Sequence, residues 1–207
     1  MAKLGQKQQG KHETHARIVD ACSRLIRKEG IKSAAIAKVM QEAGMTVGGF
    51  YAHFDSKEDM VAEGFRRAVQ QSGENSRGRL PAELSAVQKQ RIFLQAYLSR
   101  EHRDRDLQGE GCALAALAAE MGKGSPALRK VFAAECQKLT FESTALFSDD
   151  KTRLGRKDFL ATLSTYMGGL ILARATRGSP LSEEILGACL DRLGASRMEK
   201  PPAPEAA

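Results

Sequence analysis

The side chains with the best-known reactive chemistry in this chain are four cysteines and four histidines. The cysteines stand at positions 22, 112, 136 and 189, without a CxxC pair and without the spacing of a zinc site. His12 and His15 have no cluster of acids or cysteines beside them, and "HETH" is one residue short of the zinc-protease spacing. We therefore predict reduced thiols, no metal and no cofactor.

The stretch "GQKQQGKH", residues 5–12, nearly matches a phosphate-binding loop of the type G-x-x-x-x-G-K-[ST]. His12 occupies the position that needs Ser or Thr to hold a magnesium ion. The segment is also polar, and no apolar strand precedes it. This sequence therefore predicts neither an NTPase nor any other enzyme.

The stretch "TVGGFYAHFDSKED", residues 46–59, suggests binding rather than catalysis. Each of its adjacent glycines costs a helix roughly 0.5–1 kcal/mol relative to alanine. Glycines let a backbone approach a partner closely, while Tyr51 and His53 can donate to phosphate oxygens and Lys57 adds a positive charge. The alternative interpretation is a glycine-weakened connector between two core helices.

Charge in the first 57 residues favours a polyanionic partner. The whole chain carries a net charge of +7. Residues 1–57 hold +5 of it, because ten lysines and arginines stand there against five acids. A basic, solvated surface without such a partner is the alternative.

Apolar periodicity predicts an all-α protein. A first helix is predicted at 14–28, a second at 35–43 and a third at 47–53. Gly44 supplies the turn between the second and third helices, and Thr46 is placed to cap the third. This spacing is typical of a helix-turn-helix.

The rest of the chain predicts further helices and a polar tail. A helix opens at Ser56, with Asp59 completing an approximate capping box, and a flexible stretch follows at 72–83. Helices are then predicted at 83–102, 111–122, 125–147 and 156–176, and from 182 to about 193. The residues from 196 onward are rich in Pro and Ala and are predicted to be disordered. Neither a signal peptide nor an apolar run of about 18 residues is present, so we expect a cytoplasmic protein without a membrane.

The segment "THARIVDACSRLIRKEGIKSAAIAKVMQEAGMTVGGFYAHFDSKEDMVAEGF" resembles the DNA-binding domain of the TetR/AcrR family of bacterial transcriptional regulators. The matching pieces are the first-helix sequence from Arg17 to Cys22, the turn "AGMT", the run "GGFYAHF" and "SKED". The segment 111–129 also resembles part of the variable C-terminal domain of one branch of that family. The resemblance implies a dimeric repressor with nine or so helices that binds double-stranded operator DNA.

The resemblance also implies a division of the chain and a set of DNA contacts. We expect a DNA-binding domain at 1–57 with its helix-turn-helix at 34–53, a regulatory and dimerisation domain at 58–195, and a tail at 196–207. Where the family usually has a capping Thr, this chain has Ala34, and we expect Ser33 to substitute for it. The other contact positions of the family fall on Thr46, Val47, Gly48, Gly49, Tyr51, Ala52, His53 and Lys57.

Few of these side chains can hydrogen-bond to a base edge. Val47, Gly48, Gly49 and Ala52 have no polar side-chain atoms at all. We therefore expect the contact of Val47 with a thymine methyl group, together with DNA shape, to provide much of the sequence preference.

The C-terminal region predicts an effector pocket and a dimer interface. In the family, the last two long helices form the interface, and Gly168-Gly169 would let another helix approach closely. The interface is predicted at Leu163, Tyr166, Leu170, Ile171, Leu186, Leu190 and Leu193. A pocket for a small apolar effector of unknown identity is predicted at Phe93, Tyr97, Leu98, Leu117, Met121, Phe132, Leu139, Thr140 and Phe141.

Three alternatives remain open at this point. The pocket residues can instead form a closed core. The protein can sense oxidants through Cys112 or Cys136. It can also be a small-molecule-binding helical protein whose helix-turn-helix is vestigial, for which the departure at Ala34 is the only support.

Overall fold

The computed structural model describes residues 2–77, 80–150 and 152–196. Every regular element in these residues is a helix, which confirms the all-α prediction. None of the described helices is both long and apolar enough to cross a bilayer. The α-helices are α1 Ala2–Glu29, α2 Ile36–Glu42, α3 Lys57–Arg77, α4 Ala86–Tyr97, α5 Arg100–Asp104, α6 Ala113–Lys123, α7 Pro126–Leu146, α8 Arg156–Ala175 and α9 Pro180–Arg192. Three short 3₁₀ segments, Ile31–Ser33, Val47–Ala52 and Arg105–Gln108, lie between them.

The packing of α1 on α3 forms the centre of the N-terminal half. The apolar stripe of α1, which includes Ile18, Cys22 and Ile26, is fully buried. Gly64 on α3 is also buried, and a Cβ at that position would lie 2.7 Å from Cys22 Sγ. The two helices therefore approach each other as closely as a glycine allows.

Two glycine turns and one arginine hold α2 against α1. Gly30 ends α1 and Gly44 follows α2, with φ angles of 85° and 68° that other residues rarely adopt. Arg17 Nη2 on α1 donates to the carbonyl oxygen of Ala43 at 2.6 Å, which satisfies a carbonyl at the end of α2. Between these ties, Val39 and Met40 are fully buried.

Helix α6 connects this N-terminal half with the rest of the chain. Its residues Leu117 and Met121 are buried in the same core as α1 and α3. Near its C-terminal end, Glu120 Oε2 accepts a hydrogen bond of 2.9 Å from the backbone N–H of Ile31, just before α2. A second core, which includes Leu94, Phe159 and Leu170, joins α4 to α8 and α9.

A buried arginine organises the contact of α5 with α8 and α9. Arg103 pairs with Asp104 at 2.8 Å and with Glu183 at 2.7 Å, and it donates to the hydroxyl of Ser182 at 2.9 Å. Arg177 also pairs with Asp104, at 2.9 Å. The hydrogen bond from Arg103 is the main reason why the pKa of Asp104 is lowered to about 2, so this carboxylate stays ionised at neutral pH.

Helix boundaries differ from the sequence predictions where no apolar stripe marks them. The first helix begins at Ala2 rather than at residue 14, because Gln and Lys propagate an existing helix without needing a buried face. For the same reason α3 runs to Arg77, into the stretch predicted to be flexible. The predicted helix 83–102 is broken after Tyr97, where Ser99 caps α5 by accepting from the N–H of His102.

Two further predictions need correction, and one lies outside the structure. The third predicted helix, 47–53, is a six-residue 3₁₀ helix. The last helix begins at Pro180 with Ser179 as its cap, whereas Ser182 is buried inside it. Of the predicted tail, residues 197–207 lie outside the described residues.

The close approach of α1 and α3 gives a stability prediction. Gly64→Ala should lower the free energy of unfolding by ~1–3 kcal/mol, because the new Cβ clashes with Cys22. Gly122→Ala is the matched control. It replaces another helical glycine, but no described atom lies within 4 Å of its Cβ position, so it should stabilise by ~0.4–1 kcal/mol. Urea unfolding of both variants measures the difference, and equal effects would contradict the proposed clash.

Candidate nucleic-acid interface and interior cavity

The 3₁₀ helix Val47–Ala52 has one buried side and one exposed side. Phe50 is fully buried and stacks on Phe54, with ring centroids 5.5 Å apart. On the other side, Val47 is 50% exposed and Tyr51 is 74% exposed. Burial of the two phenylalanines therefore fixes an outward row of residues, which also contains Thr46, Gly48 and Ala52.

The fold itself does not require the two adjacent glycines in this row. No described atom lies within 4 Å of the place where a Cβ of Gly48 would be. A Cβ on Gly49 would meet only Met40 Cε, at an ordinary contact distance of 3.9 Å. Neither glycine has a positive φ. Their small size therefore leaves open space on the outside of the molecule.

His53 lies at the end of the 3₁₀ helix in contact with α1. Its ring centroid is 5.8 Å from that of His15, whose Nε2 lies 2.7 Å from Glu63 Oε2. Desolvation, and then the charges of His15 and Lys11, lower the pKa of His53, which favours the neutral imidazole. Nδ1 of His53 is buried without a hydrogen-bond partner among the described residues.

Lys57 continues the row as the first residue of α3 and is exposed. The helix starts there because Ser56 Oγ accepts from the N–H of Asp59 at 3.1 Å, as predicted. Most of the predicted residues from Thr46 to Lys57 are therefore exposed, whereas Gly49 and His53 are half-buried. Their contact with DNA stays a prediction.

The prediction that Ser33 caps α2 is wrong. The capping position is Ala35, and no side chain caps it. The hydroxyl of Ser33 instead donates to the carbonyl oxygen of Gly30 at 2.7 Å, at the end of α1. Ala34 is fully buried and belongs to the core. Thr46 does occupy the capping position of the 3₁₀ helix, but its side chain makes no capping hydrogen bond.

A cavity of about 540 Å³ lies between α3, α4, α5, the start of α6, and α7. Three of the predicted pocket residues, Phe93, Tyr97 and Leu139, line it. The wall formed by α3 was not predicted: Ser72, Gly73 and Glu74 fall in the stretch predicted to be flexible, and Val69 and Gln70 just before it were not assigned to the pocket. The remaining newly identified lining includes His102, Cys112, Glu135, Ser143 and Phe147.

The other six predicted pocket residues do not line this cavity. These residues lie on helices, as predicted, except Leu98, which directly follows α4, and their side chains point away from the cavity. Phe132 packs on Phe65, and Phe141 is 76% exposed. The hydroxyl of Thr140 donates to the carbonyl oxygen of Cys136 within its own helix. Buried in the two cores are Leu98, Leu117 and Met121.

Two polar atoms beside the cavity lack an oxygen or nitrogen partner among the described residues, Tyr97 Oη and His102 Nε2. The rings of Tyr97 and His102 lie 4.5 Å apart, and the Cys112 thiol, a weak hydrogen-bond partner, lies beside the phenol. Burial raises the pKa of Tyr97 well above its usual value. Burial, and then the charges of Arg174 and Arg105, lower the pKa of His102 to about 4. Both groups are therefore neutral at pH 7.

The predicted dimer-interface residues are mostly inside the subunit. Among them, Ile171 is 40% exposed, while Leu190 and Leu193 pack at the edge of the second core. The prediction is wrong for the remaining four, which are buried in the second core: Leu163, Tyr166, Leu170 and Leu186.

The exposed apolar surface of α8 and α9 overlaps the predicted interface only in part, because Gly168 and Ile171 were predicted and Leu172 and Leu181 were not. Leu172 is 56% exposed and Leu181 is 47% exposed. No described atom lies within 4 Å of the Cβ positions of Gly168 or Gly187. Gly168 and Leu172 on α8, together with Leu181 on α9, are therefore not covered by other described residues, and we refer to them as the uncovered face.

Comparison with known proteins agrees with this N-terminal arrangement. Residues 18–63 match the sequence profile of "Bacterial regulatory proteins, tetR family". The regulator AcrR of Shigella flexneri is 35% identical over 51 residues, which are 25% of this chain and 24% of AcrR. TtgR of Pseudomonas putida is 37% identical over 49 residues, 24% of this chain and 23% of TtgR. The matches to these curated relatives thus span about a quarter of their length.

The similarity of the fold extends over nearly the whole chain. A TetR transcriptional regulator from Chloroflexus aurantiacus superposes with a TM-score of 0.70 and 23% identity, over 90% of this chain and 96% of that one. A TetR-family regulator from Cytophaga hutchinsonii superposes with a TM-score of 0.71 and 15% identity, over 92% of this chain and 98% of that one. Residues 18–63 are therefore similar to the N-terminal domain of TetR-family regulators, and the chain as described has the fold of solved TetR-family structures.

The buried imidazole beside the cavity makes stability depend on pH. The pKa of His102 is about 4 in the folded protein and about 6.5 when unfolded, so the unfolded chain binds the proton more tightly. Stability should therefore be highest above pH 6.5 and fall as the pH drops toward 4. Between pH 7 and pH 5 the loss from this group should be about 2 kcal/mol.

His102→Gln should remove this contribution. Urea unfolding at pH 7 and pH 5 compares the variant with the wild type. Nearby Glu101, Arg105, Asp106 and Arg174 are the same in both proteins, so their titration cancels in the comparison. An equal pH dependence of the two proteins would show that His102 titrates normally.

Proposed function

We propose that this protein is a cytoplasmic, homodimeric transcriptional repressor that binds a palindromic DNA operator and is released by a small molecule. The observation that best supports DNA binding is the pair of adjacent glycines, which the fold itself does not require. Gly48 and Gly49 weaken the helix, yet no described neighbour of Gly48 requires a missing Cβ. A partner that approaches the backbone from outside explains them.

The exposed row on the 3₁₀ helix suits the major groove of DNA. Val47 offers an apolar contact for a thymine methyl group, and the glycines allow close approach. Tyr51, the neutral His53 and Lys57 flank the glycines and can donate to phosphate oxygens. Most hydrogen bonds in this proposal go to the DNA backbone, so DNA shape would provide much of the sequence preference.

A dimer would present two such rows to successive major grooves. Half-site centres would then lie about 34–36 Å apart, or a multiple of that distance. The uncovered face around Gly168 and Leu172 on α8, with Leu181 on α9, is the proposed interface. Apolar side chains beside open glycines allow two helices to pack closely, as an interface core requires.

Helix α6 offers a physical connection between the cavity and the DNA-binding row. Cys112, at its N-terminal cap, lines the cavity, and Glu120, near its other end, holds the backbone of Ile31 before α2. A ligand that displaces the start of α6 would therefore move the support of the helix-turn-helix. Ligand can shift this equilibrium only by its difference in affinity for the two arrangements. A solved structural neighbour from Saccharomonospora viridis was obtained in complex with choline.

Thiol sensing is a second candidate for the regulatory signal. Cys112 is half-buried and lines both this cavity and an adjacent one of about 360 Å³. Cys136 is a weaker candidate, because burial raises its pKa and so disfavours the reactive thiolate. Release of operator DNA by peroxide, lost in Cys112→Ser, would favour this signal over a non-covalent ligand.

The glycine pair gives a test of DNA binding. Gly48→Ala should leave the fold equally stable, or up to about 1 kcal/mol more stable, because helix propensity improves without a clash. Its affinity for the DNA upstream of the protein's own gene should nevertheless fall at least tenfold, about 1.4 kcal/mol. Gel-shift titration and urea unfolding measure the two effects separately.

Gly122→Ala is the control, because it also adds a Cβ to open space but lies on α6, outside the row. It should stabilise the protein without changing DNA affinity. Full DNA affinity in Gly48→Ala would contradict the proposed close approach.

The uncovered face gives a test of assembly. Leu172→Glu should leave the subunit folded, because this side chain is 56% exposed, but it should bury an unpaired charge in a dimer. The dimer dissociation constant should rise at least a hundredfold, about 2.8 kcal/mol. Sedimentation velocity at micromolar concentration measures the change.

Val87→Glu is the matched control, because Val87 is 47% exposed but lies on α4. It should remain dimeric. A wild-type protein that sediments as a monomer would refute the assembly, and a dimeric Leu172→Glu would place the interface elsewhere.

A further inference from the structure

Helices α4 and α5 form one wall of the cavity. This wall is aromatic and uncharged, and its polar atoms lie where Tyr97 and His102 meet. Tyr97 is only 5% exposed, and its phenol lies beside the imidazole of His102. Both side chains line the cavity of about 540 Å³ and also the adjacent one of about 360 Å³. Tyr97 and His102 therefore separate the two cavities, and a ligand in either cavity can contact these two side chains.

The fold does not explain the hydroxyl of Tyr97. A buried hydroxyl without a strong partner destabilises the folded state, because it loses its hydrogen bonds to water. A phenylalanine would keep the ring contacts with Phe93 and Tyr166, which have centroids 5.7 Å and 4.5 Å away, without that penalty. The hydroxyl is therefore better explained by a partner that the protein receives from outside.

The opposite wall of the cavity determines which charge a ligand can carry. Glu74 on α3, together with Glu135 and Glu142 on α7, contributes three carboxylates to the lining. Lys138 contributes the one ammonium group among the described lining residues. His102 is neutral at pH 7 because burial keeps it deprotonated, so it cannot offset the excess negative charge. This lining disfavours an anionic ligand.

We propose that the effector is an aromatic compound that carries a hydroxyl group and no negative charge, and that its hydroxyl group hydrogen-bonds to Tyr97 and His102. This inference rests on the proposed ligand-responsive function and specifies the ligand class. A hydroxyl can donate to one of the two groups and accept from the other, which satisfies both buried polar atoms. The aromatic body packs against Phe93 and Phe147. The cavity volume lies in the range that holds ligands of two or more rings.

The test compares three probes of one shape, 2-naphthol, naphthalene and 2-naphthoate, on the full-length protein without DNA. Isothermal titration calorimetry should give a 2-naphthol affinity at least tenfold higher than that of naphthalene, because naphthalene leaves both buried polar atoms unpaired. The anionic naphthoate should bind more weakly than either.

Tyr97→Phe should reduce the preference for 2-naphthol over naphthalene, because only His102 then remains as a partner for the ligand hydroxyl, while the melting temperature stays equal or rises. Tyr166→Phe is the matched control. It removes a hydroxyl from a neighbouring buried tyrosine that is absent from both cavity linings, so the preference should persist.

Equal affinities for 2-naphthol and naphthalene, absence of binding by both, tighter binding of naphthoate, or an unchanged preference in Tyr97→Phe would each overturn this inference. Operator release is measured separately by gel shift. If 2-naphthol binds with the expected preference but never releases operator DNA, the regulatory function fails while the ligand class stands. If another class of compound releases the operator and 2-naphthol does not bind, the function stands and this ligand class is wrong.

Discussion

The packing of Cys22 against Gly64 is the interaction on which the rest of the described structure depends. At this point α1 and α3 approach so closely that a single methyl group would clash. The start of α3 lies at Lys57, beside the proposed DNA-binding row, and its far end, near Glu74, lines the cavity. The same helix–helix contact therefore sets the position of both proposed sites. It also explains the character of Cys22, whose pKa is raised to about 12 by burial, so this thiol is inert.

The N-terminal surface could be predicted from the sequence because its signals are local. Gly44 was expected as a turn, and it has a positive φ angle. Phe50 and Phe54 are four positions apart in the sequence, so they fall on one side of a helical turn, and their burial directs Tyr51 and Ala52 outward. Capping is a local signal as well, but it needs the right backbone geometry. Ser33 has a side chain suited to capping, yet it lies two residues before the capping position Ala35 and bonds to Gly30 instead.

The cavity and the uncovered face could be predicted only in part, because periodicity gives the apolar side of a helix but not what covers it. Leu170 and Leu172 lie two positions apart on α8, and the first is fully buried while the second is 56% exposed. Phe93 and Phe141 both lie in predicted helices and were both expected in the pocket, yet Phe93 lines the cavity and Phe141 faces outward. Which partner helix covers each stripe depends on contacts distant in sequence. The break between α4 and α5 at Ser99, which brings His102 beside Tyr97, is one such detail.

The position of α6 has a thermodynamic consequence for the two proposed sites. Its eleven residues form a rigid element about 16 Å long, with the cavity at one end and the hydrogen bond from Ile31 to Glu120 near the other. If displacement of this helix weakens DNA binding by some factor, then bound DNA must weaken ligand binding by the same factor. Each operator in a cell would then set the ligand concentration at which its own repressor leaves. Operators that bind the repressor tightly would be released only at high ligand concentration, and operators that bind it weakly at low concentration. A single cavity could therefore produce an ordered series of responses.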